Sequence, residues 1–285
     1  MGRNWCNMNS EKPTLAFVIL TWNSANVIER CIRSVFDITS FDIRAYVVDN
    51  GSSDDTIDIL NSLQRQYANL KVTKLPYNYG TTVSRNMAIK EAVANNCDYV
   101  CVLDSDTKVN DAAMLSMANV LANEKVGIVG PEMRDEKGVL QNSGRKIPTM
   151  TIKVSKVLPF KFIRKWGESL EFYEYPAGES AIPVGYLMSA CWMFRSNLVN
   201  KIGLLDEKIF YAPEDVDFCM RCWENGLAVV KDRNAKILHS WQRLSRKKLI
   251  SKHNWEHIKG LAYLFKKHHY LWSARNIEKM VVEFA

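Results

Sequence analysis

Three carboxylates stand close together in FYAPEDVDFCMRCWENG, residues 210–226: Glu214, Asp215 and Asp217. Acids in the first turn of a helix are favoured by unpaired backbone N–H groups and by the positive end of the macrodipole. One acid satisfies that account, so three ask for another. At 3.6 residues per turn, Asp217 lies about 200° round a helix from Asp215, which places it to pair with Arg221 rather than to share chemistry with Asp215. A second acidic set, Asp104 and Asp106, closes the apolar run YVCVL. Paired carboxylates offer hard oxygen ligands to Mg²⁺ or Mn²⁺ and, through the cation, to a phosphate. The same Asp-x-Asp spacing also suits a turn or a helix N-cap. Asp49 ends another apolar run in VVDNGSSDDT, where an Asx turn is the structural alternative. His239 ends AKILH, where an imidazole can complete a metal site, touch a diphosphate or simply pack.

The elements that must carry these residues are readable from periodicity. LAFVIL (15–20), IRAYVV (43–48), LKVTKL (70–75) and YVCVL (99–103) are continuous apolar runs, each followed by a turn cluster and a helical pattern. The helices are expected at about 27–36, 56–67, 81–95 and 112–122, with Asp54 placed to cap the second. Such alternation predicts βαβ units, a mixed, mainly parallel sheet with helices on both faces, and ligands beyond the carboxyl ends of the strands. From about 130 to 183 the pattern loosens into an irregular insertion. VGYLMSACWMFR (184–195) reads as one buried strand, with Trp192 either stacking on a sugar or filling the core. AVV and AKILH read as strand, and the chain ends in a basic helical tail with Trp241, Leu244, Leu249, Ile250, Trp255, Ile258, Leu261, Leu264 and Phe265 at roughly helical intervals.

Composition bounds the class. A chain of 285 residues, 47% hydrophobic and 24% charged, buries a full core and suits one large domain with an appendage. No apolar run approaches the roughly 18 residues of a membrane span, and the start MGRNWCNMNSEKPT lacks an export core, so a cytosolic location is expected. Seven scattered cysteines read as reduced thiols, and Cys219-x-x-Cys222 as two small helix residues without a second pair for zinc. The net charge of +7 is a C-terminal property: residues 240–280 hold ten Lys or Arg against two Glu, a balance of +8. Basic residues interleaved with aromatics there suit nucleic acid, a solvated face, or an anionic membrane surface.

In order, VILTWN, VVDNGSSDDT, NYGTTVSRN (78–86), VLDSD (102–106) and FYAPEDVDFCMRCWENG make the chain resemble the family 2 inverting nucleotide-sugar glycosyltransferases of the GT-A fold. The resemblance spans about Thr14 to Ser245 and is greatest with the bacterial rhamnosyltransferase-like branch, which also has an EDVD helix, a His after the next strand with a Ser beyond it, and a basic tail. It implies a GT-A domain over 1–240, with a donor half at about 14–125 and an acceptor half at about 126–240, and a basic amphipathic extension over 241–285. It further implies that Thr21, Asn23 and Asp49 line the nucleoside pocket, that Arg85 lies near that pocket or the diphosphate, and that Asp104 approaches the ribose or metal. Asp106 is implied as metal ligand, with His239 completing the Mg²⁺ or Mn²⁺ site, Asp215 as base and Glu214 as the group orienting the acceptor or the base. Lys108 departs from this pattern, as a charge that would partly neutralise the metal site or as a solvated lysine at a helix start.

The implied donor is a dTDP- or UDP-sugar, dTDP-L-rhamnose first. The implied acceptor is a glycan or polyprenyl-diphosphate-linked oligosaccharide of a bacterial surface polysaccharide. Relatives that act on lipid carriers direct the tail reading toward peripheral contact with an anionic membrane and away from nucleic acid. Two rival classes weigh less: a nucleotidyltransferase needs a Gly-rich basic loop where TWNSANV stands, and a purely binding module leaves the acidic strand ends without purpose.

Overall fold

The structure, a computed structural model, describes residues 12–175, 178–240 and 252–285, with side chains described from 255 onward in the last segment. In chain order the elements begin β1 (Thr14–Thr21), α1 (Ile28–Phe36), β2 (Asp42–Asp49), α2 (Thr56–Gln66), β3 (Leu70–Lys74), α3 (Thr81–Ala94), β4 (Tyr99–Asp104), β5 (Thr107–Lys108) and α4 (Asp111–Leu121). They continue with β6 (Val126–Arg134), β7 (Leu140–Gln141), β8 (Gly144–Arg145), α5 (Met150–Val157), α6 (Lys161–Ser169), β9 (Ala181–Pro183), β10 (Tyr186–Leu187), β11 (Cys191–Arg195), α7 (Leu198–Ile202), α8 (Glu214–Glu224), β12 (Ala228–His239), α9 (Lys252–Lys267) and α10 (Arg275–Phe284).

The main sheet runs β3-β2-β1-β4-β11-β6-β12-β5. β1 pairs in parallel with β2 and β4, β2 with β3, and β6 with β12, whereas β11 is antiparallel to both its neighbours. Helices cover both faces, so Phe17, Val18 and Ile19 of β1 are all fully buried, as a continuous apolar strand requires. Register is what builds the site. Thr21 stands beside Asp49, and Leu20 beside Asp104, so three strands end along one edge. The antiparallel entry of β11 puts Ser189 and Ala190, just before it, against the end of β4, where the Asp104 N–H donates to Ala190 O at 2.9 Å. His239 pairs with Thr107 across β12 and β5, which brings its ring to the Asp104–Asp106 turn.

Four sequence expectations change. The stretch 184–195 is not one strand: β10 belongs to a small second sheet with β8, and the chain turns through Met188–Ala190 before entering the main sheet as β11. The region from about 130 to 183, read as loosening, begins inside the long buried strand β6 and contains the α5–α6 hairpin. Lys108 is solvated, as one reading has it, but it stands in β5 opposite Leu238 and not at a helix start. At the start of α2 the N-cap is Asp55, without a side-chain cap bond, and Asp54, one residue before it, accepts from the Thr56 N–H at 3.1 Å.

The tail is anchored to the body. Leu264, Ile277 and Val281 are buried in the common core, each contributing about 1.5–3 kcal/mol by the usual burial scale. Gly260 of α9 lies against the Ala212 carbonyl, so closely that a Cβ would collide with backbone. The tail positions Trp241, Leu244, Leu249 and Ile250, like Ser245, lie outside the described residues.

Candidate active site

The Asp104-Ser105-Asp106 turn leaves β4 at the sheet edge, fixed by the Ser24 and Ser105 hydroxyls at 2.9 Å and by the Ser240 N–H donating to Asp106 O at 3.0 Å. One ligand atom each from Asp104, Asp106 and His239 lies within 4.8 Å of the others. His239 Nε2 is 3.4 Å from Asp106 Oδ1, while Nδ1 is 2.6 Å from Gln141 Oε1. A Gln oxygen can only accept, so this contact fixes the proton on Nδ1 and turns Nε2 toward the two acids. Burial lowers the His239 pKa, but its hydrogen bond to Asp106 and the charges of Asp106 and Asp104 outweigh burial and raise it overall. Two carboxylates and an oriented imidazole suit a divalent cation that accepts oxygen and nitrogen, and the donor set fits Mg²⁺ or Mn²⁺.

The opposite wall is the N-terminus of α8. Arg85 of α3, 2% exposed, bridges the two walls: Nη2 is 2.6 Å from Asp104 Oδ1 and Nη1 is 2.9 Å from Glu214 Oε1. Ser189 donates to the same Glu214 oxygen at 3.0 Å. Arg85 is where it is because α3 is tied to the 205–210 loop: Thr81 N donates to Phe210 O at 2.7 Å, Thr82 Oγ1 to Ile209 O, and the Asn86 amide pairs with both backbone groups of Leu205. Burial, with the neighbouring Asp215 charge, pushes Glu214 up to about 8 despite Arg85. Burial also raises Asp215, opposed by the Val216 N–H and by Arg85, Arg145 and Lys153. Asp215 Oδ1 accepts from the Val216 N–H at 2.8 Å. Together Arg85, Asp104, Asp106, Glu214, Asp215 and His239 line one cavity of about 370 Å³.

The expected nucleoside residues form a separate cluster at the ends of β1 and β2. Asp49, fully buried, accepts from the Ser52 N–H and hydroxyl, so the acid closes the strand end onto the residue three further on, one beyond the reach of an Asx turn. Asn23 has a left-handed backbone (φ 50°) and its Oδ1 accepts from the Ser53 N–H at 2.8 Å. Thr21 is 1% exposed, with a hydroxyl that has no hydrogen-bond partner. Trp192 is corrected: it is 0% exposed, its ring 5.4 Å from that of Phe218, and it cannot stack on an acceptor. Asp217 is structural, as its helical position predicts, holding Arg221 Nη2 at 2.9 Å, and also Lys267 Nζ at 2.6 Å and His268 Nε2 at 2.9 Å from the tail. Sequence reasoning missed Gln141 and Ser189. Neither lies in a motif, and only the strand pairings bring them to the site.

The mixed, mainly parallel α/β sheet, with strand-end acids facing an acid-bearing helix across one cavity, has the GT-A fold, as the solved structures similar to it show. Residues 16–203 match Glycosyl transferase family 2, and the chain belongs to that family. Among relatives, the N-acetylglucosaminyl-diphospho-decaprenol L-rhamnosyltransferase of Mycobacterium tuberculosis is 27% identical over 236 residues, covering 79% of this chain and 75% of its own. The putative teichuronic acid biosynthesis glycosyltransferase TuaG of Bacillus subtilis is 33% identical over 101 residues, covering 35% of this chain and 39% of its own. In structure the chain is similar to S. aureus TarS in complex with UDP, with TM-score 0.61 at 18% identity, covering 95% of this chain and 70% of that one. It is also similar to GalNAc-T7 with UDP, GalNAc and Mn²⁺, with TM-score 0.66 at 12% identity, covering 91% and 48%. The chain is therefore a glycosyltransferase. Among the described residues no helix is long and apolar enough to cross a membrane.

Proposed function

We propose that the chain is an inverting, metal-assisted glycosyltransferase that moves L-rhamnose from dTDP-L-rhamnose to a lipid-linked glycan acceptor of a bacterial surface polysaccharide, while held peripherally on the cytoplasmic membrane. The carrying observation is that Asp215 faces the Asp104–Asp106–His239 set across a single cavity. Thr21, Asn23 and Asp49 hold the nucleoside at the adjoining strand ends. Asp106, Asp104 and His239 hold the cation, which when bound supplies positive charge to the leaving diphosphate. Asp215 takes the proton of the acceptor hydroxyl as its oxygen bonds to the anomeric carbon and the bond to the diphosphate breaks from the opposite face. Burial strengthens Asp215 as a base for that proton. Glu214, held between Arg85 and Ser189, fixes the position of the helix end that presents it. The rhamnose assignment is favoured by the relative that spans most of the chain, an L-rhamnosyltransferase acting on a diphospho-decaprenol substrate.

The test pairs transfer with binding. Asp215→Asn lowers transfer from dTDP-L-rhamnose at least about 100-fold, the usual scale for a lost general base, and leaves dTDP affinity unchanged by calorimetry. Near-full transfer by the variant removes Asp215 from the role of base. Retention of configuration at the anomeric carbon, read by NMR, refutes the single displacement.

A further inference from the structure

The hairpin of α5 and α6 carries a surface that the active site does not use. The two helices are locked face to face: Gly167 of α6 lies against Ser155 of α5 with no room for a Cβ, and Ile152 and Ser155 are buried. The aromatics point the other way. Val157, Phe160, Phe162 and Trp166 are 80%, 56%, 72% and 52% exposed, an apolar cluster of a kind that marks an interaction surface in soluble proteins. Interleaved with them, Lys161, Arg164 and Lys165 are exposed, and residues 150–169 hold five basic side chains against one acid.

We infer that the α5–α6 hairpin is the membrane-docking element, seating Phe162 and Trp166 at the headgroup boundary of an anionic bilayer with Lys161, Arg164 and Lys165 on the lipid phosphates. A short amphipathic helix with aromatics on one face and lysine or arginine beside them is the form that lies in a lipid interface. A protein partner fits less well, because the centres of protein interfaces are depleted in lysine. The placement is apt for a glycosyl acceptor held in a membrane. The hairpin's root is tied to the tail by the Met150 N–H donating to Leu271 O at 2.8 Å, and Lys153 of α5 is near enough to Asp215 for its charge to be felt there. The inference rests on the peripheral attachment proposed above and assigns it to this hairpin rather than to the tail, where Trp255 and Ile258 are also exposed.

Vesicle co-sedimentation of the full chain separates the two readings. The wild type partitions at least about tenfold more onto phosphatidylglycerol–phosphatidylcholine vesicles than onto phosphatidylcholine alone, and less in high salt. Phe162→Ser with Trp166→Ser lowers partition at least about tenfold, as does Lys161→Glu with Lys165→Glu at low salt. Trp255→Ser with Ile258→Ser changes it less than about threefold, since α9 lies outside the contact. Unchanged thermal melts and dTDP affinity show that the variants are folded. Absence of wild-type binding to either vesicle overturns both the attachment and the hairpin's part in it. Wild-type binding that survives the Phe162–Trp166 change, or that falls only with the Trp255–Ile258 change, overturns the hairpin inference alone.

Discussion

Replacing Arg85 with Met removes the guanidinium while keeping much of its volume, and the structure dictates how the loss depends on pH. A buried ion pair broken on one side ordinarily costs about 3–5 kcal/mol, when the remaining group stays charged. Glu214 need not stay charged, because burial has already raised it from 4.5 to about 8. A carboxyl whose folded value is raised contributes stability that is complete below about 4.5 and lost as pH rises toward about 8. Below pH 7 Glu214 is mostly neutral with or without Arg85, so its share of the deficit there is close to zero. Without Arg85 its folded value moves higher still, by about 1–3 units. The deficit from Glu214 then grows by about 1.4 kcal/mol for each pH unit above 8 until the variant's own value is reached. Burial raises Asp104 and Arg85 opposes that rise, but with 37% of the side chain exposed solvent screens the loss, so Asp104 adds less to the slope than Glu214. Urea unfolding of wild type and Arg85→Met at pH 6, 7, 8 and 9 measures this directly. A deficit of several kcal/mol at pH 6 that stays flat to pH 9 refutes the reasoning, since it would require a permanently charged Glu214.

Three further outcomes follow from the same geometry. Asp106→Ala removes one of three clustered ligands, so Mn²⁺-dependent binding of dTDP weakens at least about tenfold, with metal-free binding unaltered; calorimetry with and without Mn²⁺ reads both. Gly260→Ala puts a Cβ into the Ala212 backbone just before α8; the melting temperature falls, and limited proteolysis in α9 quickens, as expected of an overpacking cost of about 1–3 kcal/mol. Asp217→Asn leaves Lys267 and His268 facing a neutral amide. Urea unfolding shows a loss near the lower end of the range for a broken buried pair, about 3 kcal/mol, because His268 can shed its proton and Lys267 is 25% exposed. Burial alone would raise Asp217, but His268, Arg221 and Lys267 hold it down at about 2. Its contribution is therefore complete above the usual carboxylate value of 3.8 and disappears in the wild type only as pH falls through about 2.

The first four strands and their ends were legible because each step there is local. Continuous apolar strands, turn clusters and helical spacing are short-range signals, and parallel pairing then brings Thr21, Asp49 and Asp104 to one edge with no further information. What failed was set by contacts far apart in sequence. Gln141 reaches His239 and Ser189 reaches Glu214 only through pairings across the sheet. The break at Met188–Ala190 was hidden because apolar continuity cannot register a change of sheet. Trp192 was undecided for a related reason: an indole suits both a sugar face and a core, and only its contact with Phe218 settles it. The hairpin escaped because its pattern runs against the usual rule. Gly167 faces the protein and Phe162 and Trp166 face out, so helical amphipathicity, read as a core stripe, points to the wrong side.

The basic tail shows why a charge total is a poor guide to a partner. Its +8 balance suggested an outward electrostatic face, yet part of that charge is turned inward. Lys267 lies 2.7 Å from Asp206 and 2.6 Å from Asp217, and His268 lies 2.7 Å from Glu224. Lys259 and Lys279 pair with Glu256 and Glu283 on their own helices. Asp217 thus gains part of its role from the tail: the third acid of the EDVD motif is a buried counter-charge that fastens the end of α9, at Lys267 and His268, to α8. Fastened there, Gly260 supports the Ala212 backbone just before Glu214 and Asp215, and Leu271 accepts the hydrogen bond at the root of α5. The tail therefore touches both surfaces that the proposals assign to a lipid-linked acceptor, the end of α8 that carries the proposed base and the hairpin proposed to face the bilayer. On the proposed function, loss of the Asp217 contacts depresses transfer to a membrane-borne acceptor more than binding of dTDP, because the β1 and β2 ends proposed to hold the nucleoside lie on the other half of the sheet.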